Sequence, residues 1–345
     1  MTDSHSSNES AQAVGTVMDI ALGYLVSRSL HVVTQLGVAD LLADGQARAP
    51  AEIAECLGVD ALAVRRLLRT LAAQGVFQEQ ADGRFVLNAA ARLLQSGVMR
   101  DGVLFCGEVA GDGSWWDAVG ALEHSVRTGR PAFDFRHGVG FFDYLRTHEE
   151  CARWFDRGMA NFATSENLAI AQALDCAPFT QVVDVGGGQG GFLSEVLARH
   201  PNLRGTLFDQ PQVVAQPAHL DARIASERWQ TAAGDFFVAV PAGADAYFLK
   251  RILHDWDDER SLAILTACRA AMSARARLFI VDAVLPFGNA PHPGKVMDVL
   301  MMVFGSGRER TAAEFDELCR GAGLAMRAIV PTASMLSVIE VERRL

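Results

Sequence analysis

Hydrophobic and polar positions along this chain follow two rhythms, with the change falling near residue 176. Before it, apolar residues recur at helical spacing: Val14, Val17, Met18, Ala21, Leu22 and Leu25, then Leu30, Val33 and Leu36, with Gly37 as a stop. Pro50 opens a second helix, AEIAECLG, and Asp60 can cap a third, ALAVRRLLRTLAAQ, which runs to Gly75. VFQEQADGRFVLN then reads as two short strands turning at Asp82-Gly83. Helix, turn, helix and hairpin predict a winged helix. Residues 102–175 read as mostly helical and rich in aromatic side chains. Beyond 180 the pattern alternates. QVVDV, LRGTLFD, ADAYFLK and ARLFIVDAVL are strand-like, whereas GFLSEVLARH and DDERSLAILTACRAAM are helical, which predicts a mostly parallel α/β sheet covered on both faces. The last segment, GLAMRAIVPTASMLSVIEVE, reads as a closing antiparallel hairpin. The predicted organisation is a winged-helix-like region at 13–100, a helical linker and pocket region at 101–175, and an α/β domain at 176–345, preceded by a polar tail, Met1 to Gln12.

At 345 residues, with 50% hydrophobic and 21% charged positions, the chain suits about two globular domains. The polar start lacks an apolar signal core, and no apolar run approaches the roughly 20 residues of a membrane span, so a soluble, cytoplasmic protein without a membrane partner is expected. The winged helix invites a DNA-binding reading, with Arg65, Arg66 and Arg69 on one helix. Against it, the net charge is −10 and residues 40–100 hold seven acids and seven arginines, so no nucleic-acid partner is expected and the module reads as a scaffold or dimerisation unit. The six cysteines are scattered, without a CxxC pair or a Cys/His cluster, which fits reduced packing residues and no metal.

Chemistry concentrates after the first α/β strand. Asp184-Val-Gly186-Gly187-Gly188-Gln-Gly190-Gly191 sits at a strand-to-helix passage, where glycines admit a ligand to the backbone and the helix start favours negative charge. Gly186, Gly188 and Gly191 satisfy GxGxxG, and Asp209 follows about 20 residues on, as a ribose-binding carboxylate does. That pattern serves a dinucleotide and any other nucleoside cofactor alike. Asp184 ahead of the glycines, Asp235 in GDFF after the third strand, and the segment FLKRILHDWDDE after the fourth separate the two readings.

DVGGGQG, LFDQP, GDFF, FLKRILHDWDDE and GRERT, in that order, resemble the plant-type small-molecule O-methyltransferases, similar to caffeic acid O-methyltransferase, and their bacterial antibiotic-pathway relatives. The likeness runs over nearly the whole chain, and the LHDW block is far more specific than the glycines. It implies a class I methyltransferase fold beside a helical dimerisation domain, S-adenosylmethionine as cofactor, a homodimer formed through the N-terminal domain, and no metal. By position, Gly186 and Gly187 would lie against the methionine part of the cofactor, Asp209 would take the ribose hydroxyls, Asp235 and Phe236 the adenine, and Lys250 and Trp256 would stand nearby. Phe155, Met159 and Met301, with Trp116, would line the pocket for a small aromatic acceptor.

The resemblance also implies His254 as general base. It follows the strand YFLK, at the end of the sheet where open α/β folds bind ligands. A phenol has a pKa of about 10 and imidazole about 6.5, so forming a free phenolate would cost ~5 kcal/mol; removing the proton as the methyl arrives avoids that state. A base needs a partner to fix its tautomer. The family pattern supplies Glu309, in GRERT, and a carboxylate that here is Asp282, one methylene shorter than the glutamate of many plant members. Asp255 reads as a local loop contact. Three other functions are weighed: a same-fold enzyme performing hydroxylation or decarboxylation, against which His254 speaks; a cofactor-sensing DNA-binding regulator, against which the charge speaks; and a nicotinamide-dependent dehydrogenase, for which nothing after Lys250 gives a reason.

Overall fold

The N-terminal periodicity becomes three helices, α1 (Thr2–Ala21), α2 (Gly23–Gln35) and α3 (Val38–Leu41), with Gly37 left-handed between the last two (φ 73°). The computed structural model describes residues 2–107, 114–215 and 217–344. The expected polar tail is helical instead: α1 starts at Thr2. Neither proline nor glycine interrupts residues 2–14, so helix formed over the apolar positions can propagate backwards. Among the described residues no single helix is long and apolar enough to cross a membrane. Residues Ser10–Ala21 with Gly23–Gln35 reach that length and hydropathy only as a pair bent by 43°.

The next segments follow their local signals. Pro50 starts α4 (Pro50–Leu57), and the Asp60 carboxylate accepts the Ala63 N–H at 2.7 Å to cap α5 (Ala61–Ala73). Strands β1 (Gln78–Glu79) and β2 (Phe85–Val86) form the small antiparallel wing, with Gly83 left-handed in its turn. Ile53, Leu68, Leu71, Phe77 and Phe85 pack in one core, each almost fully buried. Arg65, Arg66 and Arg69 are exposed.

The described residues divide into two units, one of residues 1–116 and 148–161, the other of 117–147 and 162–345. The stretch 101–175, expected as one region, is therefore shared between them. Sequence spacing cannot show which stretches of a run of helices pack on which core.

In the second unit a seven-stranded sheet has the order β10-β11-β7-β6-β3-β4-β5. Its strands are β3 (Gln181–Val185), β4 (Arg204–Asp209), β5 (Trp229–Ala233), β6 (Ala246–Lys250), β7 (Arg277–Asp282), β10 (Leu324–Pro331) and β11 (Ser337–Arg343). β5 to β7 and β3, β4 run parallel, and β10 and β11 are antiparallel, as the two strand patterns predict. The central strands are apolar and buried on both faces. From β3 the chain goes outward to β4 and β5, then returns to the other side of β3 as β6, which makes the carboxyl ends of β3 and β6 the point where strand order reverses.

ARLFIVDAVL, read as one strand, is two. β7 ends at Asp282, and β8 (Val284–Leu285) leaves the sheet to pair in parallel with β9 (Arg310–Thr311). A side trip of this kind depends on a distant partner and leaves no periodic trace. It brings the GRERT segment to the end of β7.

At the opposite, amino-terminal edge, the Asp245 carboxylate accepts the Thr180 N–H (2.8 Å), the Thr180 hydroxyl (2.6 Å) and the Gln181 N–H (3.0 Å). Burial alone would raise this carboxyl, but the three donors outweigh it and hold its pKa below the ordinary value. Asp245→Ala should destabilise the fold by about 2 kcal/mol, read as a lower denaturation midpoint, with cofactor affinity unchanged. Because the folded pKa is depressed, this contribution is present above pH ~4 and disappears as pH falls through the folded value, so wild type and variant should converge in acid.

Candidate active site

Four neighbouring strands deliver the candidate residues to one edge of the sheet. In spatial order, β4 ends in Asp209, β3 runs into the glycine turn, β6 runs into the His254 turn, and β7 ends in Asp282. The two chemically distinct groups, turn and imidazole, thus follow the two adjacent strands at the reversal point.

The glycine turn is hooked to β4. The Gly186 N–H donates to the Phe208 carbonyl at 2.8 Å, and the Gly188 N–H to Asp209 Oδ2 at 2.9 Å. Asp209 Oδ1 accepts the Gln210 N–H at 2.7 Å. The carboxylate is thereby fixed while each oxygen keeps a lone pair for a further donor. Gly186, Gly188 and Gly190 all have left-handed backbones (φ 70°, 59° and 81°). A Cβ on Gly186 would come within 2.4 Å of Ile252, and one on Gly187 within 2.6 Å of Asp184. Asp184 is fully buried with Oδ2 lacking a hydrogen-bond partner. Burial pushes its pKa up to about 7, against the pull of Lys250 and with the repulsion of Asp209.

Phe236 lies beside Gly186 and makes edge contacts with Phe237 and Trp256. Trp256 packs more closely on Phe237 (4.9 Å between centroids) and carries the Arg260 guanidinium over its ring at 5.1 Å. Asp235 Oδ1 accepts the Phe237 N–H at 2.9 Å and so shapes this loop. Lys250 is largely buried, 3.8 Å from Glu166, and burial holds it below the ordinary lysine value although Glu166 opposes the shift. Next to it Arg251 grips Glu166 through two hydrogen bonds (3.0 and 2.5 Å) and adopts a left-handed backbone, φ 53°. For a non-glycine residue that conformation costs on the order of 1–3 kcal/mol. It turns the chain sharply out of β6 into the short helical turn Leu253–Asp255.

On that turn His254 is buried, and its Nδ1 stands 3.0 Å from Glu309 Oε1. Glu309 is buried as well, and its N–H donates to Asp298 Oδ1 at 2.9 Å. Asp255, expected to make only a local loop contact, places Oδ1 3.4 Å from His254 Nε2. Burial by itself would lower the His254 pKa. The Asp255 carboxylate, the Glu309 hydrogen bond and the charge of Asp282 outweigh it and push the value up to about 9. Asp282 is fully buried, and neither of its oxygens has a hydrogen-bond partner. Burial raises it to about 7, with His254 pulling down and Glu309 pushing up. Asp282 therefore acts on His254 through its charge, and Glu309 is the residue that touches the ring.

The acceptor residues are distributed differently. Trp116, Phe155 and Met159 belong to the first unit and Met301 to the second. Phe155 packs edge-on against Phe105 (5.5 Å), Arg28 lies 5.9 Å from the Trp116 ring, and Met159 is partly exposed. Sequence reasoning missed Glu166, Arg251, Asp298, Gly307 and Arg310. A Cβ on Gly307 would come within 2.0 Å of the His254 carbonyl, and Arg310 is completely buried. For Gly307 and Arg310 the available signal was their nearness in sequence to Glu309. Among the described residues no group of three His, Cys, Asp or Glu side chains is arranged to hold a metal ion.

With this geometry in hand, comparison with known proteins is informative. Residues 18–97 match an O-methyltransferase dimerisation domain and residues 119–325 an O-methyltransferase domain. A phenazine O-methyltransferase of Lysobacter antibioticus is 41% identical over 94% of each chain. An 8-amino-8-demethylriboflavin N,N-dimethyltransferase of Streptomyces davaonensis is 38% identical over 90% of each. Among solved structures, CalO1, a methyltransferase of calicheamicin biosynthesis in its S-adenosylhomocysteine-bound form, aligns with a TM-score of 0.86 at 38% identity, covering 96% of this chain and 98% of that one. NcsB1, an O-methyltransferase of neocarzinostatin biosynthesis in complex with S-adenosylhomocysteine and 1,4-dihydroxy-2-naphthoic acid, aligns with a TM-score of 0.68 at 35% identity over 92% and 95%. The chain belongs to the S-adenosylmethionine-dependent O-methyltransferases, its catalytic domain preceded in sequence by the family's dimerisation domain.

Proposed function

We propose that this enzyme methylates a phenolic or enolic hydroxyl of a small aromatic natural product, with His254 as the general base, and that it works as a homodimer. The observation that carries the base assignment is the buried imidazole held at Nδ1 by Glu309, on the turn that follows β6, the strand next to the one leading into the glycine turn. The cofactor fits the residues present. A Cβ on Gly186, Gly187 or Gly190 would collide with neighbouring side chains while Gly188 faces open space, Asp209 keeps acceptor capacity for ribose hydroxyls, and Phe236 lies against Gly186.

When bound, S-adenosylmethionine supplies an activated methyl on a positively charged sulfur that departs as a neutral thioether. The protein's share is alignment and proton removal. Glu309 accepts from Nδ1–H, which leaves Nε2 as the nitrogen that takes the acceptor proton. The raised pKa strengthens the base. In the cofactor-free protein a ring raised to about 9 stands closer to a phenol near 10 than an ordinary imidazole does. The opposing cost is that the cofactor-free protein holds mostly the protonated ring at pH 7. A positive charge brought beside the imidazole lowers its pKa, so cofactor binding favours the base form.

Relatives named for methylating phenazine and naphthoate skeletons support a flat acceptor. The relative that methylates an amine keeps a nitrogen acceptor in view. An aromatic amine already presents its lone pair, so a buried, oriented base favours a hydroxyl. A carbon-labelled methyl donor, with the chemical shift of the transferred methyl carbon read by NMR, distinguishes the two linkages. Val14, Val17, Ile20 and Tyr24 on the first two helices are well exposed, a hydrophobic surface that suits a second copy of the chain.

His254→Ala should lower kcat by about 10²- to 10⁴-fold with cofactor Kd unchanged, whereas Asp209→Ala should weaken cofactor binding; near-wild-type turnover in the first variant refutes the base. Activity should rise with pH along a single limb, because only neutral His254 accepts the proton, and the limb of kcat should lie below the value of about 9 that holds in the cofactor-free protein. Val17→Asp with Ile20→Asp should shift the sedimentation profile toward monomer; an unchanged dimer would place the interface elsewhere.

A further inference from the structure

A fully buried arginine stands next to the residue that orients the base. Arg310 donates from Nη1 to the Leu253 carbonyl at 2.8 Å and from Nη2 to the Trp256 carbonyl at 2.9 Å. Those carbonyls bracket the dipeptide His254–Asp255. The guanidinium is balanced by Asp258, whose Oδ1 accepts from Nε at 3.1 Å and Nη2 at 2.8 Å, and Nη2 also reaches the Ser261 hydroxyl at 3.2 Å. A buried charge is costly unless it is paired and its donors are used, and here Nη1 also reaches the Arg308 carbonyl at 3.5 Å, so that five acceptors surround it.

We propose that Arg310 is a positioning residue for methyl transfer. Resting on the reading of His254 as the base, the dipeptide Glu309–Arg310 holds that base at two places, the carboxylate on its ring and the guanidinium on its backbone. The Glu309 bond fixes one end of the imidazole, which can still pivot if its Cα moves. Arg310 prevents that movement by tying the backbone on both sides of His254. Its planar fork reaches two carbonyls and a carboxylate together, which a lysine ammonium at the end of one stem does not. Displacement of a reacting group by about 1 Å can cost about a hundredfold in rate, so the clamp bears on kcat without touching the reactants. On the solvent side, Arg308 meets the same Asp258 at 2.6 Å yet contacts no part of the His254 turn, and so serves as a charge-matched control.

The test is a double-mutant cycle. Arg310→Lys should fold, keep cofactor Kd and acceptor KM within about threefold, and lose about a hundredfold in kcat, while Arg308→Lys stays at the wild-type rate. In a His254→Ala background Arg310→Lys should cause no further loss. Equal losses in both backgrounds, or no loss in either, would overturn the positioning role. If His254→Ala alone turns over like wild type, the base reading fails and Arg310 has nothing to position; if His254→Ala is slow and Arg310→Lys is fast, only the present proposal fails. Should Arg310→Lys not fold, Asp258→Asn leaves the arginine in place and loosens its charge partner, with an expected kcat loss of roughly five- to tenfold at unchanged Kd. Full activity there overturns the proposal.

Discussion

The bond between His254 Nδ1 and Glu309 Oε1 joins segments 55 residues apart in sequence, and the proposed chemistry depends on it. It decides which nitrogen keeps its proton when the ring is neutral, and therefore which one can accept another. Much of the surrounding fold serves to make that contact. β7 stops at Asp282, β8 leaves the sheet, and its pairing with β9 carries Glu309 to the end of β6. The left-handed turn at Arg251 brings His254 out to meet it, and Asp298 holds the Glu309 backbone from the helix Pro293–Phe304.

Three carboxylates around one imidazole set the electrostatics. Glu309 is in contact at one nitrogen, Asp255 lies near the other, and Asp282 has no hydrogen-bond partner in a fully buried position. Their sum outweighs burial and stabilises the imidazolium, so the cofactor-free site is charged for holding a proton. A positively charged donor bound beside the ring would oppose that preference, so in the proposed mechanism His254 is most available as a base when the methyl donor is in place. The same logic applies at Asp184, a buried carboxyl whose charge is favoured by Lys250 and opposed by Asp209.

Much of this was legible from local signals. Gly37, the Asp60 cap, the Asp82-Gly83 turn, the central apolar strands and the closing hairpin each depend on neighbours a few residues away, and each formed as read. The glycine turn was legible because close backbone approach demands its residue types, and the LHDW block was legible through its resemblance to the family's pattern. What stayed hidden depends on distant partners. The break after Asp282 needs β9, the separation of Asp282 from the ring depends on a register no spacing records, and the burial of Arg310 contradicts the usual exposure of arginine. The sharing of 101–175 between two units is of the same kind.

Nitrogen-15 chemical shifts of the His254 ring report most directly on the central claim, since they read the tautomer of the neutral imidazole. Recorded above pH ~9 on selectively labelled protein, they should show a protonated Nδ1 and a bare Nε2. A proton found on Nε2 instead would mean that the ring presents no basic nitrogen to the acceptor, and would contradict the base assignment.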